Sequence, residues 1–283
     1  MYKSARSTRP CVSTLLVLLF PRIRPVLMAE CSMKGTTMAS NLSRHLTGAS
    51  RTESGNRGLG YLLAFVAGAI NAGGFLAVQQ YTSHMTGIVS EMADLIALGQ
   101  YRFALFGLAC LATFIGGAAC TAILVNYARS RQLQSEYAIP LLVEASLLMA
   151  FGILGAQHGT MQGGVVSITI LLLCFVMGLQ NAVITKISGA VIRTTHVTGI
   201  ATDLGIDLGR WLFCNLARNK EFVPRPKRGV MLGTLLVSFF VGGLAGAIGF
   251  QTFGYAATIP LAAALVAAAI TPVLDDVKGH KLR

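Results

Sequence analysis

Charged side chains are scarce in this chain. Only 12% of its 283 residues are Asp, Glu, Lys or Arg, while 54% are hydrophobic, and the mean hydropathy is +0.65. So little polar surface cannot coat a water-soluble globule of this length, and a membrane is its natural solvent. Acids are scarcer still, 11 against 23 Lys and Arg, for a formal net charge of +12. A basic excess can signal nucleic acid, but these bases sit in short loops and tails between apolar stretches, not on one face with interleaved aromatics. They read as topology signals, and nucleic acid is not an expected partner. The signatures of soluble-type catalysis are also missing: there is no G-x-S-x-G, Walker loop, H-E-x-x-H or dinucleotide fingerprint. ATP-driven transport by this chain alone is disfavoured, and no catalytic residue, cofactor or metal is assigned. Cys11, Cys31, Cys110, Cys120, Cys174 and Cys214 show no C-x-x-C spacing, and several fall inside apolar stretches as small hydrophobes, so neither a disulfide nor a zinc site is implied.

Residues 1–57 differ from the rest. Lys3, Arg6 and Arg9 precede a short apolar run at 12–20, which gives way to Pro21, Arg22, Arg24 and Pro25. The likeness to a signal peptide is superficial, because no small-x-small cleavage site follows before the basic stretch. The preferred expectation is an upstream extension of the reading frame, with Met28, Met33 or Met38 as the start, and a polar, disordered cytoplasmic leader up to residue 57.

What the chain does have is long apolar runs. Those at 59–80, 103–127, 137–156, 165–187, 230–251 and 255–274 each approach or exceed the roughly 20 residues that a helix needs to cross about 30 Å of hydrocarbon. Irregular backbone cannot face lipid, so the expected fold is all-α, a polytopic membrane bundle with six full spans. Two further segments, 84–99 and 196–213, are shorter and carry Glu91, Asp94, Asp203 and Asp207. They read as broken or re-entrant helices.

The chain also repeats. FVAGAINA at 65–72 aligns with FVMGLQNA at 175–182, and HMTGIVSE at 84–91 with HVTGIATD at 196–203. One membrane domain is expected over 58–274, with repeat one at 58–157, repeat two at 164–274 and a basic cytoplasmic tail at 275–283. Short-loop bases set the orientation. Arg44, Arg51, Arg57, Arg129, Arg131, Arg218, Lys220, Arg225, Lys227, Arg228, Lys278, Lys281 and Arg283 should be cytoplasmic, as should both termini, while the loops around His158 and 250–255 should lie outside. If both short segments crossed the membrane, Arg129 would fall outside. If both dip in and return, every basic cluster falls inside and the two halves are inverted, as in many secondary transporters.

His84 and Glu91, like His196 and Asp203, are seven residues apart, about two helical turns, and so share one face of a helix. Carboxylates at membrane depth usually mark an ion, proton or substrate path. The blander reading places them at interfacial helix ends, paired with bases, as Asp207 and Arg210 at i, i+3 would be. For His84 and His196 a hydrogen-bonded scaffold role stays open. Thr86 and Thr198 precede Gly87 and Gly199, where a broken helix can bend and a hydroxyl can satisfy freed carbonyls. Asn71, Gln180 and Asn181 are polar groups within spans, explained equally by interhelical hydrogen bonds or by substrate contact. The candidate solute- or ion-binding set is His84, Thr86, Glu91, His196, Thr198 and Asp203, with Asn71 and Asn181. The small-residue runs at 116–120, 242–246 and 262–269 read as close-packing surfaces.

From 58 to 272 the paired HMTG and HVTG elements, GLQNA at 178–182 and TTHVTG before TDLGIDLGR resemble the YoaK-like family of bacterial integral membrane proteins, a domain of unknown function. The resemblance implies a bacterial inner-membrane location and supplies no substrate. This chain has Asn71 where many members carry an acid, and Ile88 and Ile200 where Asn is frequent at the first site, so proton coupling through position 71 would differ here. The expected function is a secondary transporter or exporter of a small solute, proton-coupled through Glu91 and Asp203. Its partners are the lipid bilayer and that solute, and the chain is compatible with a homo-oligomer. A membrane-embedded enzyme acting on a lipid-like substrate, with His84 or His196 as acid or base, and a non-transporting scaffold are the alternatives.

Overall fold

The computed structural model describes residues 43, 46–47, 53–157, 163–189, 195–217 and 226–280. The chain divides after Leu42, and all of these residues belong to the second unit. Most of the expected leader, the loop at His158 and the bases Arg44, Arg51, Arg218, Lys220, Arg225, Lys281 and Arg283 lie outside the described residues.

Regular structure among the described residues is helical throughout: α1 (Glu53–Val78), α2 (Met85–Ala97), α3 (Tyr101–Ser130), α4 (Ala138–Gln157), α5 (Gly163–Ile187), α6 (Val197–Ala217), α7 (Pro226–Phe253), a 3-10 turn (Gly254–Ala257) and α8 (Thr258–His280). Residues in the left-handed region stop several helices, Gln79 after α1, Gly99 after α2, Gln132 after α3, Gly189 after α5 and Gly254 after α7. Five stretches are long and apolar enough to cross a membrane: α1, α3, most of α4, most of α5, and Arg228–Lys278, which joins α7 to α8. As one straight helix of 51 residues the last would be about 77 Å long, more than twice the hydrocarbon thickness, but it turns at Gly254 with φ +57. The second short segment is longer than its expected 196–213, reaching 21 residues in α6, yet its acids and Arg210 keep it too polar to count among the spans.

Close helix crossings set the directions. Each is built on a Phe-x-x-Gly pair. A methyl at Gly68 would stand 2.0 Å from the carbonyl oxygen of Phe239, and one at Gly242 2.0 Å from that of Phe65. The other pair repeats this, with Gly178 at 1.9 Å from the Phe114 oxygen and Gly117 at 2.0 Å from that of Phe175. Only glycine lets backbones approach so nearly, the usual device of membrane helix pairs. Along α1 and α7 the contacts ascend together, from Phe65 with Gly242 to Gly73 with Phe250, so the helices are parallel. α3 and α5 are parallel too, since Gly117 lies against Phe175 O and, one turn on, Thr121 Oγ1 donates to Leu179 O at 2.9 Å. α1 and α5 run antiparallel: Asn56 Nδ2 donates to Ile187 O at 3.5 Å, and Gln180 Nε2 to Leu63 O at 3.3 Å. α4 and α8 are also antiparallel, Gly152 lying by Thr258 and Ser135 by Asp276.

It follows that α1 and α7 run one way and α3 and α5 the other. The end of α1 and the start of α3 share one end of the bundle, with α2 between them. The end of α5 and the start of α7 share the opposite end, with α6 between them. Arg57, Arg129, Arg131, Lys186, Arg228 and Lys278 all fall at that second end, whereas Arg102 lies at the first. α1 and α5 form the buried centre through Leu59, Leu63, Leu173 and Leu179, while α3 and α7 turn Leu105, Ile115, Ile123, Val237 and Phe240 outward, as lipid-facing surfaces do.

One contact extends the bundle into the expected leader. Pro272 inside α8 has no N–H, so Ala268 O loses its partner one turn on. Ser43 Oγ and Thr47 Oγ1 donate to that oxygen at 2.9 and 2.8 Å, and both residues are buried. Ser43→Ala with Thr47→Val should therefore destabilise the protein by about 2 kcal/mol in urea or thermal unfolding, because a buried carbonyl is orphaned. In a Pro272→Ala background, where an N–H is restored, the same pair should cost well under half of that. Equal losses in both backgrounds would disprove the assignment.

Candidate functional site

Two polar connections bring the duplicated motifs inward. After α1 ends, Ser83 returns to Asn71, whose Oδ1 accepts the Ser83 N–H at 3.3 Å and the Ser83 hydroxyl at 2.8 Å. α1 runs seven residues past Asn71, so the chain has retraced roughly 10 Å alongside the helix it left. Tyr81, on the way, stacks on Phe75 with centroids 4.4 Å apart. In the other half Asn181 Oδ1 accepts the Thr195 hydroxyl at 2.7 Å, while its Nδ2 donates to Met177 O at 2.8 Å. There α5 continues six residues beyond Asn181, again a return of about 9 Å. Each return ends where H-x-T-G begins a short helix. Because α1 and α5 are antiparallel, the returns enter from opposite ends of the bundle.

From these starts the short helices run back outward. α2 joins α3 through a turn at Leu98–Gln100, with Ile88 and Met92 packed at Gly107. α6 packs on the start of α7. His84 stands at the N-cap position of α2 without a side-chain capping bond. Its ring occupies the space over Gly87, where a methyl would meet His84 Cδ2 at 2.2 Å, so alanine there would displace this exposed ring. Gly199 of HVTG has open space around it, and the two motifs differ in this respect. Thr86, His196 and Thr198 are exposed, and Thr198 O accepts the Thr202 hydroxyl at 2.9 Å. The candidate residues thus form two clusters, one for each half.

Glu91 lines a cleft of about 590 Å³ together with Gln80, Arg102, Ser167, Phe103 and Phe106. Asp203, its counterpart, is engaged: Arg228 Nη2 donates to its Oδ2 at 2.7 Å, and the two side chains are 44% and 37% exposed. In both halves the acid of the short helix thus lies toward an arginine at the start of the next long helix: Glu91 and Arg102 line one cleft, and Asp203 and Arg228 form an ion pair. Asp203 therefore sits at the basic end of the bundle rather than at mid-depth. Asp207 pairs with Arg210 at 3.6 Å, as the i, i+3 spacing implies, and leaves its buried Oδ2 without a hydrogen bond. Among the described residues no three His, Cys, Asp or Glu side chains gather as metal ligands would.

The most buried acid among the described residues is one that motif reading passes over. Glu144 of α4 is 0% exposed, and neither carboxyl oxygen has a hydrogen-bond partner. The signal was present, since a lone acid within LLVEASLL is conspicuous in an apolar run. It is hidden from a search for duplicated motifs: aligning Ile139–Pro140–Leu141 with Ile259–Pro260–Leu261 sets Ala264 opposite it. Gln180, already conspicuous in the sequence as a polar group within a span, is also fully buried, with Oε1 unpaired.

Neither a curated protein nor a solved structure matches the chain. The family model described as Protein of unknown function (DUF1275) matches residues 59–271, from α1 into α8, and the chain belongs to that family, as the duplicated motifs implied.

Proposed function

We propose that this DUF1275 member is an integral membrane secondary transporter of a small solute, built from two inverted halves that alternate access to a site between them. The observation that carries the reading is the pair of return segments, fastened by Asn71 and Asn181 and entering from opposite ends of the bundle. Transporters place discontinuous helices in this way around a midplane site. Further support comes from the antiparallel run of the equivalent helices α1 and α5, and from the break at Gly254, which suits a two-way passage of Arg228–Lys278 and hence the reading of six crossings. The bases gathered at one end support a cytoplasmic side there, with both termini on it, in a bacterial inner membrane.

In this reading His84, Thr86 and Glu91 serve the outer approach to the solute, and His196, Thr198 and Asp203 the inner one. The open Glu91–Arg102 cleft and the Asp203–Arg228 ion pair support reading this arrangement as an outward-facing state. The opposite state would close the first and open the second. Transport rather than catalysis is the proposed activity.

Single cysteines at Gln100 and Ser188 test the frame in intact cells treated with a membrane-impermeant maleimide. Gln100→Cys should label from outside, and Ser188→Cys only after permeabilisation. Labelling of both from the same side would mean parallel halves and remove the reading. In proteoliposomes offered labelled amino acids, sugars and carboxylates under a proton gradient, Glu91→Gln and Asp203→Asn should each abolish uptake in a folded protein. Undiminished uptake in both would remove the roles given to these acids.

A further inference from the structure

We propose that Glu144 is a proton-binding site and that the proton it carries couples to the solute. The coupling rests on the transporter reading above, whereas the binding site rests on the geometry of α4 alone. Glu144 lies in the first half of a 20-residue apolar helix, wholly buried, with both carboxyl oxygens free of hydrogen bonds. A bare carboxylate there costs several kcal/mol, so the group must meet a cation or carry a proton.

Among the described residues a side-chain cation is not at hand. α4 packs on α8, α5, α3 and the 3-10 turn, and the charged groups of those elements sit near their ends. On α8 these are Asp275, Asp276 and Lys278, and Asp276 accepts from Gln134 and Ser135 at 2.9 Å. α5 has Lys186 in its last turn. α3 has Arg102 in its first turn and, in its last, Arg129, which pairs with Glu136 at 2.7 Å. Of the uncharged titratable groups, Tyr101 and Tyr127 lie at the ends of α3 and Cys120 is half-buried on it. Cys110 and Cys174 are buried free thiols, and Tyr255 packs at Gly155, about three helical turns from Glu144.

A metal ion fits no better. It would want about six oxygen ligands, and beside Glu144 its own helix presents Leu141, Ala145 and Leu148, all buried. A single carboxyl in an apolar wall has the chemistry to hold one proton: the carboxylate takes it to become the neutral acid, and returns it when the halves rock and water reaches the site. No other reactant is consumed.

Infrared difference spectra of the purified full-length protein across a pH step, in light and heavy water, read the proposal directly. Wild type should show a deuterium-sensitive carbonyl band of a protonated carboxylic acid, retained in Glu91→Gln and Asp203→Asn, absent in Glu144→Gln and restored in Glu144→Asp. Should Glu144→Gln not fold, Glu144→Met, which fills the same volume without a charge, should show the same loss. A band unchanged in either folded variant would overturn the site. In proteoliposomes holding a pH-sensitive dye, Glu144→Gln should lose at least tenfold in solute-driven proton movement while keeping solute exchange. Proton movement undiminished in that variant would overturn the coupling. A wild type that moves none of the offered solutes while the band still depends on Glu144 would count against the transporter reading and leave the binding site standing.

Discussion

Gly178→Ala is expected to lower stability by about 3 kcal/mol, enough to convert much of the purified protein to aggregate. The added methyl would lie 1.9 Å from the Phe114 oxygen and 2.8 Å from the Phe114 carbonyl carbon, both of them backbone, so α3 and α5 would have to separate. No side-chain rotation relieves the clash. Gly68, Gly117 and Gly242 meet backbone in the same way and should behave alike. Gly199, Gly205 and Gly209 in α6 have nothing within 4 Å, and alanine there should be neutral or stabilise by up to about 1 kcal/mol through helix propensity. Thermal unfolding followed by size-exclusion chromatography in detergent separates the two groups. A Gly178→Ala protein as stable as wild type would show that α3 and α5 do not cross where the structure places them.

The second large effect is expected at the fasteners. Asn181→Ala leaves the Thr195 hydroxyl without its acceptor and frees the return segment that sets HVTG beside α5. Losing a hydrogen bond worth about 1 kcal/mol should change stability modestly. A site displaced by an ångström, however, costs far more in function, and uptake should fall at least about tenfold. Thr195→Val should reproduce the loss, and the double variant should be little worse than either single one, because both remove the same bond. Asn71→Ala with Ser83→Ala forms the corresponding cycle in the first half. Full uptake in all of these variants would reduce Asn71 and Asn181 to scaffold. The sequence left these asparagines equally open to interhelical bonding and to substrate contact. The structure shows a third use, in which each accepts a hydrogen bond from the residue just ahead of its own motif, Ser83 or Thr195.

Much of the architecture was legible because hydropathy is local and sums along the chain. The run at 103–127 became α3 (Tyr101–Ser130), that at 165–187 became α5 (Gly163–Ile187), and the gap between 251 and 255 became the turn at Gly254. The glycine runs at 116–120 and 242–246 were also recognisable as contact surfaces, since small residues in an apolar helix have few other uses. Their partners were not. That Gly117 meets Phe175, and Gly242 meets Phe65, depends on which helices lie side by side, and nothing within either run specifies it.

The same division holds for the polar residues. The pairing of Asp207 with Arg210 follows from helical spacing alone, but the bond from Arg228 to Asp203 spans 25 residues and two helices, and only the packing of α6 on α7 makes it. Ser43 and Thr47 have the composition of a leader, yet a proline more than two hundred residues away creates the orphaned carbonyl that binds them. Glu144 is visible in the sequence as an acid in an apolar run, but its isolation is not, because being without a partner is a property of every neighbour at once. By itself, then, the sequence determined the all-helical membrane class, the duplicated motifs and the family, all of which are encoded in residues adjacent or periodic along the chain. Tertiary structure alone decided the directions of the helices, the return of each loop to its asparagine and the burial of Glu144, because these depend on contacts between segments far apart in the chain.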